Sequence, residues 1–225
     1  MTSPLSIVIP VLNEAGGIEA TLQSLAPLRG RGAELIVADG GSTDGTLPLA
    51  QALADQVLSV PRGRARQMNA GAAAASGSLL LFLHADTQLP PNADALVQQA
   101  LAGGAHWGRF DVRIQGRPWM LRVVAGLMNW RSRWSGIATG DQALFMTRAA
   151  FEAVGGFPDQ PLMEDIEVCK RLRALGPPAC LRQKVLTSGR RWESRGVWRT
   201  IFLMWRLRWR YWRGESAQSI AEAYR

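Results

Sequence analysis

Leu79-Leu80-Leu81-Phe82-Leu83-His84-Ala85-Asp86-Thr87 is an unbroken apolar run that ends abruptly in an imidazole and a carboxylate. A run without polar alternation suits a strand covered on both faces, and a side chain at its C-terminal tip stands where open α/β sheets bind ligands. Leu35-Ile36-Val37-Ala38 repeats the arrangement, ending in Asp39 and a loop of glycines and hydroxyls, Gly40-Gly41-Ser42-Thr43-Asp44-Gly45-Thr46. Two strand tips that deliver acids predict one shared site.

Outward from these runs the chain alternates. Ser6 to Pro10 reads as a short strand, Asn13 to Gly17 as a loop, and Ile18 to about Leu28 as a helix. After the Leu35 strand, Thr43 or Asp44 can cap a helix reaching about Ala54. Val57 to Val60 gives another strand, and Gln67 to Ala75 another helix. Pro90-Pro91 opens a helix over Ala93 to Ala102. This β-α-β-α-β order predicts an α/β fold built on a doubly wound, mostly parallel sheet. Beyond Gly103-Gly104 the pattern changes. Trp107 to Ile114 reads as extended, Trp119 to Trp130 as an amphipathic helix, and Ala143 to Met146 as a strand. Ala149 to Val154 and Asp165 to Leu175 read as helices. We expect a catalytic domain over residues 1–190 and a helical, Trp/Arg-rich extension over 191–225 packed on it.

At 225 residues, 47 % of them hydrophobic, the chain can bury a real core. Its two cysteines, Cys169 and Cys180, have no zinc or disulfide spacing, which predicts a reduced, cytoplasmic protein. Met1-Thr2-Ser3-Pro4 carries no basic stretch, and Pro10 breaks the apolar run that follows, so no signal peptide is expected. No stretch approaches the roughly 18 uncharged residues a spanning helix requires. The net charge of +8, with much of the excess after Arg182, calls for an anionic partner: nucleic acid, nucleotide phosphates or anionic lipid.

Several residues could carry chemistry. Asp39 directly follows a strand and need not cap anything, so it is free for a base or ribose; Asp44 could do the same or merely cap a helix. Asp86 could hold Mg²⁺ or Mn²⁺ against a diphosphate, with His84 joining the metal or bonding Asp86, or it could cap a loop. Arg62-Gly63-Arg64-Ala65-Arg66-Gln67 crowds cations at a helix start, where an anion would relieve them; a solvated basic turn is the alternative. Glu164-Asp165-Ile166-Glu167 gathers acids at another helix start, as ordinary stabilisers or as the place of a general base. Gly140-Asp141-Gln142 is either a plain turn or a polar contact for acceptor or sugar.

Ile9-Pro10-Val11-Leu12-Asn13-Glu14, Asp39 through Thr46, the strand ending at Asp86, and Glu164-Asp165 together resemble the inverting family 2 glycosyltransferases. The stretch from Gly63 through Asp86, with Arg190-Arg191-Trp192, is similar to a subfamily of small bacterial members often labelled arsenosugar-associated. The resemblance implies the GT-A nucleotide-sugar architecture and a divalent cation, Mg²⁺ or Mn²⁺. It implies that Asp39, with Pro10, Asn13 and Glu14, meets the nucleotide, and that Arg64 and Gln67 lie near the diphosphate. Asp86, with His84, would hold the metal, and Asp165 would deprotonate the acceptor hydroxyl. Asp141, Gln142, Glu164, Arg191 and Trp192 would face the acceptor or sugar. One departure stands out: the family's Asp-x-Asp is His84-Ala85-Asp86 here.

The segment from Val197 to Arg213, VWRTIFLMWRLRWRYWR, projects as a helix with Trp198, Ile201, Phe202, Trp205, Trp209 and Trp212 on one face. Arg199, Arg206, Arg210 and Arg213 adjoin it, and Leu203, Met204, Leu207 and Tyr211 form a third sector. An aromatic face bordered by arginines suits an anionic membrane surface and a lipid-linked acceptor; a small metabolite acceptor stays open. Docking on the catalytic domain or on a second subunit, as a homodimer, is the alternative. Two other functions are alternatives. A sugar-phosphate nucleotidyltransferase would be expected to show a glycine-rich, arginine-containing loop straight after the first strand, where this chain has Val11-Leu12-Asn13-Glu14. A basic nucleic-acid-binding module would stack bases on the arginine-tryptophan segment. Nucleic acid is not expected as the partner.

Overall fold

The computed structural model describes residues 4–224; Met1-Thr2-Ser3 and Arg225 lie outside them, and with them part of the N-terminal stretch read for a signal peptide. Eight strands form one sheet in the order β3-β2-β1-β4-β7-β6-β8-β5. Its first half is parallel: β1 (Leu5–Val11) pairs with β2 (Glu34–Asp39) and β4 (Leu79–Phe82), and β2 pairs with β3 (Gln56–Ser59). β1, β2 and β4 are buried on both faces, which is why they read as continuous apolar runs, while β3 at the edge is half-buried. Helices α1 (Ile18–Gly30), α2 (Thr46–Leu53) and α3 (Arg64–Ala74) connect them. α3 lies so close to β1 that a Cβ on Gly71 would collide with Val8, so only glycine permits that approach.

The second half is mixed. β7 (Phe145–Thr147) runs antiparallel to both β4 and β6 (Trp107–Gln115), and β8 (Ala179–Ser188) runs parallel to β6, with β5 (Thr87–Gln88) on the edge. The register between β6 and β8 shifts between Phe110 and Asp111. Helices α4 (Ala93–Ala102), α5 (Met120–Ser135), α6 (Arg148–Ala153) and α7 (Glu164–Leu172) complete the layers, and α8 (Arg190–Arg195), α9 (Val197–Trp212) and α10 (Ala217–Tyr224) follow β8. The sheet separates two apolar clusters, one around Ile7, Leu35, Leu81 and Phe110 and one around Val8, Leu80, Phe82 and Trp107.

Several boundaries differ from the sequence reading. The strand expected at Ala143 starts at Phe145, because Ala143 is left-handed at φ 47°. Helix α5 continues to Ser135, past Trp130. Helix α2 starts at Thr46 after Gly45, and Asp44 accepts from the Thr46 amide at 3.0 Å instead of capping directly as the first residue outside the helix. Among the described residues no helix is long and apolar enough to cross a membrane.

Candidate active site

Strand order reverses direction of travel between β1 and β4, and a crevice opens beyond their C-terminal ends, where α/β sheets bind ligands. Pro10 and Glu14 enter it from the β1 side, His84 and Asp86 from the β4 side. Arg64 reaches in from the start of α3, Asp141 from the turn Gly140–Gln142, and Glu164 and Asp165 from the start of α7. Arg191 and Trp192 close it from α8. The sequence-distant acids and arginines therefore meet in one cavity.

The acids do not titrate alike. Asp165 is pushed up to about 6, first by burial and then by the neighbouring Glu164 charge, against hydrogen bonds from the Gly140 and Ile166 amides and the Arg64 charge. Glu14 is raised by burial and next by the Asp86 charge. Asp141 is held below the usual range. Burial opposes this, but the His84 hydrogen bond and the Arg64 and Arg191 charges outweigh it. Protein surrounds Asp141, yet its side chain stays 44 % accessible to the cavity, as does that of Arg64. Arg64 bonds Glu164 at 3.0 Å, and Glu164 is itself buried. Arg191 is lowered by burial and by Arg64, so two guanidinium groups share the cavity and repel. An anion between them would remove that cost.

Not every expected residue faces the cavity. The Asp39 carboxylate accepts from the amides of Gly41 and Ser42 at 2.9 Å and from the Ser42 hydroxyl, so it does cap its own loop. Gln67 is buried and donates to the Val11 and Ala38 carbonyls at 2.7 Å, tying β1 to β2 instead of reaching a diphosphate. Gln142 is fully buried and donates to Ser132 at 3.1 Å, which removes it from acceptor contact. Asn13 accepts from the Thr43 amide at 2.9 Å and joins the two loops. His84 places Nδ1 3.2 Å from Asp141 and bonds Asp86 with neither nitrogen. Its ring fills the space a Cβ on Gly140 would occupy, so glycine is required there.

Thr200, Met204 and Arg208 of α9 and Tyr224 of α10 also line the cavity, and sequence reasoning missed them. Their spacing of i, i+4 and i+8 along α9 puts a hydroxyl and a cation on one line, a signal the aromatic pattern masked. Leu207 and Ile220 pack on Met163, whose φ of 65° makes the left-handed turn that presents Glu164 and Asp165.

The donor set fits a cation only in part. Among the described residues no three His, Cys, Asp or Glu side chains gather as a metal cage. Asp86 and Glu14 are near enough for their charges to interact, which suits Mg²⁺ or Mn²⁺ completing its shell with phosphate oxygens and water.

Residues 6–152 match the family described as Glycosyl transferase family 2. The chain belongs to that family. It is 34 % identical over 165 residues to a PGL/p-HBAD biosynthesis glycosyltransferase of Mycobacterium bovis, covering 68 % of this chain and 59 % of the relative. It is 33 % identical over 191 residues to the succinoglycan biosynthesis protein ExoA of Rhizobium meliloti, covering 76 % of this chain and 58 % of that protein. The chain thus spans under two thirds of the length of these relatives. Among solved structures it resembles the mannosyltransferase of Pyrobaculum calidifontis in complex with GDP-Man and Mn²⁺, at TM-score 0.65 and 22 % identity over 83 % of this chain and 57 % of the other. It also resembles the glucosyl-3-phosphoglycerate synthase of Mycobacterium tuberculosis, at TM-score 0.61 and 22 % identity over 80 % of this chain and 70 % of the other. These solved structures share its mixed α/β architecture around a mostly parallel sheet.

Proposed function

We propose that this chain transfers a sugar from a nucleoside-diphosphate sugar to an acceptor hydroxyl with inversion at the anomeric carbon. The observation that carries this reading is Asp165, a carboxylate pushed up to about 6, in one cavity with Asp86, Glu14, Arg64 and Arg191. A base with that pKa accepts a proton readily near neutral pH. Asp165 takes the acceptor proton as the acceptor oxygen bonds to the anomeric carbon, and the bond from that carbon to the diphosphate oxygen breaks. Arg64 and Arg191 receive the charge that grows on the departing diphosphate, an electrostatic service that costs no reorganisation at the moment of reaction.

A divalent cation held by Asp86, with Glu14 beside it, would supply Lewis-acid neutralisation of the diphosphate. His84, in place of the family's first acid, orients Asp141 instead of ligating. Asp39 acts through its loop, offering ordered Gly41 and Ser42 backbone to the nucleotide. The sugar-contacting groups are Asp141, Glu164 and Trp192. The Trp/Arg-rich helices after residue 190 form the acceptor side, with α9 against an anionic membrane surface.

Calorimetry with UDP, GDP and their sugars, with and without Mn²⁺, tests the reading. Binding that needs Mn²⁺ and is lost in Asp86→Ala supports it; no binding of any nucleotide overturns it. Donor hydrolysis across a panel of nucleotide sugars then identifies the sugar without knowledge of the acceptor.

A further inference from the structure

Helix α9 is not the only helix with an uncovered aromatic face. Along α5 and the residue before it, Trp119, Val123, Leu127, Trp130 and Trp134 are all exposed, Trp134 at 80 %. On α9 the exposed set is Trp198, Phe202, Trp205, Trp209 and Trp212, the last at 82 %. Scattered single apolar residues need no explanation, but two whole helix faces do. The faces adjoin: Arg131 of α5 shares one shallow depression with Phe202, Trp205 and Trp209 of α9, and Leu127 and Trp134 flank Arg131 at i−4 and i+3.

The charge on these helices has one sign. Neither α5 nor α9 contains an acidic residue. Arg122, Arg199 and Arg206 are exposed and have no acidic partner among the described residues, and Arg213 lies over the Trp209 ring. Two further arginines lie deeper. The Nε and one terminal nitrogen of Arg131, and the Nε of Arg208, are buried without a hydrogen-bond partner. Arg208 lines both the aromatic depression and the catalytic cavity, so it stands where one opens toward the other. Buried donors without hydrogen bonds are costly even though Arg131 feels the Asp165 charge, and a phosphate is the anion a planar guanidinium matches best.

We propose that α5 and α9 together form a platform that rests on an anionic phospholipid bilayer, with Arg131 and Arg208 receiving a lipid phosphate at the mouth of the catalytic cavity. Tryptophan rings sit at the headgroup level, and arginine stems lie along apolar surface while their heads meet phosphate. The platform lies on the bilayer, since neither helix can span it. The acceptor is then an amphiphile with its hydroxyl at the membrane surface, a conclusion that rests on the glycosyl-transfer reading above; the platform itself does not.

Vesicle flotation of the full chain, without nucleotide, tests the platform. Vesicles of phosphatidylglycerol and phosphatidylcholine should float the protein at least tenfold better than phosphatidylcholine alone, with binding that weakens in high salt. The pairs Trp130→Ala/Trp134→Ala and Trp205→Ala/Trp209→Ala should each reduce flotation at least fivefold, and Arg131→Gln/Arg208→Gln should reduce the preference for anionic lipid. All these sites except Arg131 and Arg208 are exposed, so unchanged melting curves are expected for the tryptophan pairs. Loss confined to the α9 pair would overturn the two-helix platform. No flotation, with a dimer that either tryptophan pair converts to monomer, would assign the face to a second copy. Nucleotide calorimetry on the same preparation separates the two readings: flotation lost with UDP or GDP binding intact removes only the platform, and the converse removes only the transferase.

Discussion

Asp39 ends β2 and Asp165 stands in the first turn of α7, and their surroundings use them differently. Asp39 accepts from Gly41 and Ser42, and its charge is matched by its own loop. Asp165 also accepts two amides, yet burial and Glu164 push it up to about 6. The contrast extends to the two halves of the sheet. In the parallel half, polar side chains hold shape: Gln67 ties β1 to β2, Asn13 ties two loops, and Asp44 anchors the start of α2. In the mixed half, charges stay imperfectly matched: Arg191 faces Arg64, and Arg131 and Arg208 keep unpaired nitrogens. The cavity draws on both: the parallel half lends Glu14, Arg64 and Asp86, and the mixed half adds Asp141, Asp165 and Arg191.

The largest effect should follow Asp165→Asn. Turnover should fall by about 10²–10⁴, the usual worth of a positioned base. Wild-type turnover should rise with pH through about 6 and then level. Stability has the opposite sign. The folded chain holds the Asp165 proton more tightly than the ordinary value of 3.8, so its contribution is fully present below 3.8 and lost as pH rises through about 6. Melting temperatures should therefore favour the Asn variant over wild type above pH 6 and converge near pH 4. An Asn variant less stable at pH 8 would break the comparison.

Asp39→Ala probes the opposite half. Its three hydrogen-bond donors lose their partner, which should cost about 1–3 kcal/mol in denaturant unfolding. Donor affinity should fall with it as the loop loosens, while the pH profile stays centred where it was. Asp39→Asn, which keeps an acceptor, should recover part of both losses.

How much of this was legible before the fold was known follows the same division. The parallel half reads clearly because strands buried on both faces are continuous apolar runs punctuated by glycine and aspartate. Strand β8 does not, because Arg182, Gln183 and Lys184 in its middle are exposed and give neither alternation nor an apolar run. Asp86, Asp165 and Arg64, singled out for charge at element ends, and Arg191, implied by the family resemblance, line one cavity. Gln67 and Gln142 were misread because a polar side chain next to a motif looks the same in sequence whether it faces a ligand or a carbonyl. Arg208 was missed because the rotation of α9 against the sheet is set by Leu207 on Met163 and Ile220, a contact between distant segments.

Gly140→Ala joins the halves, since the new Cβ would displace His84 from the β4 tip and disturb the amide that bonds Asp165. Overpacking of this kind costs about 1–3 kcal/mol. The Gly140 hydrogen bond lowers the Asp165 pKa, so its weakening should move the acidic limb of the turnover profile above 6. A profile that keeps its midpoint while stability falls would show that the turn supports His84 alone.

The smallest effect belongs to Glu34, at the far end of β2 from the cavity. Its carboxylate accepts from the Ser6 hydroxyl, the Ser76 amide and hydroxyl, and Gln56, joining β1, β3 and the entry to β4. Burial alone would raise its pKa, but these hydrogen bonds together hold it below 4.5. The depressed value means that its stabilisation is present above 4.5 and lost as pH falls through the lowered pKa. Glu34→Gln should therefore cost about 1 kcal/mol at pH 7, measured by denaturant midpoint, with the deficit shrinking toward pH 3. Turnover and nucleotide affinity at pH 7 should be unchanged, because this carboxylate fixes strand spacing at the end of the sheet that carries no chemistry. A shift in either would mean that strain travels along β2 from Glu34 to the Asp39 loop.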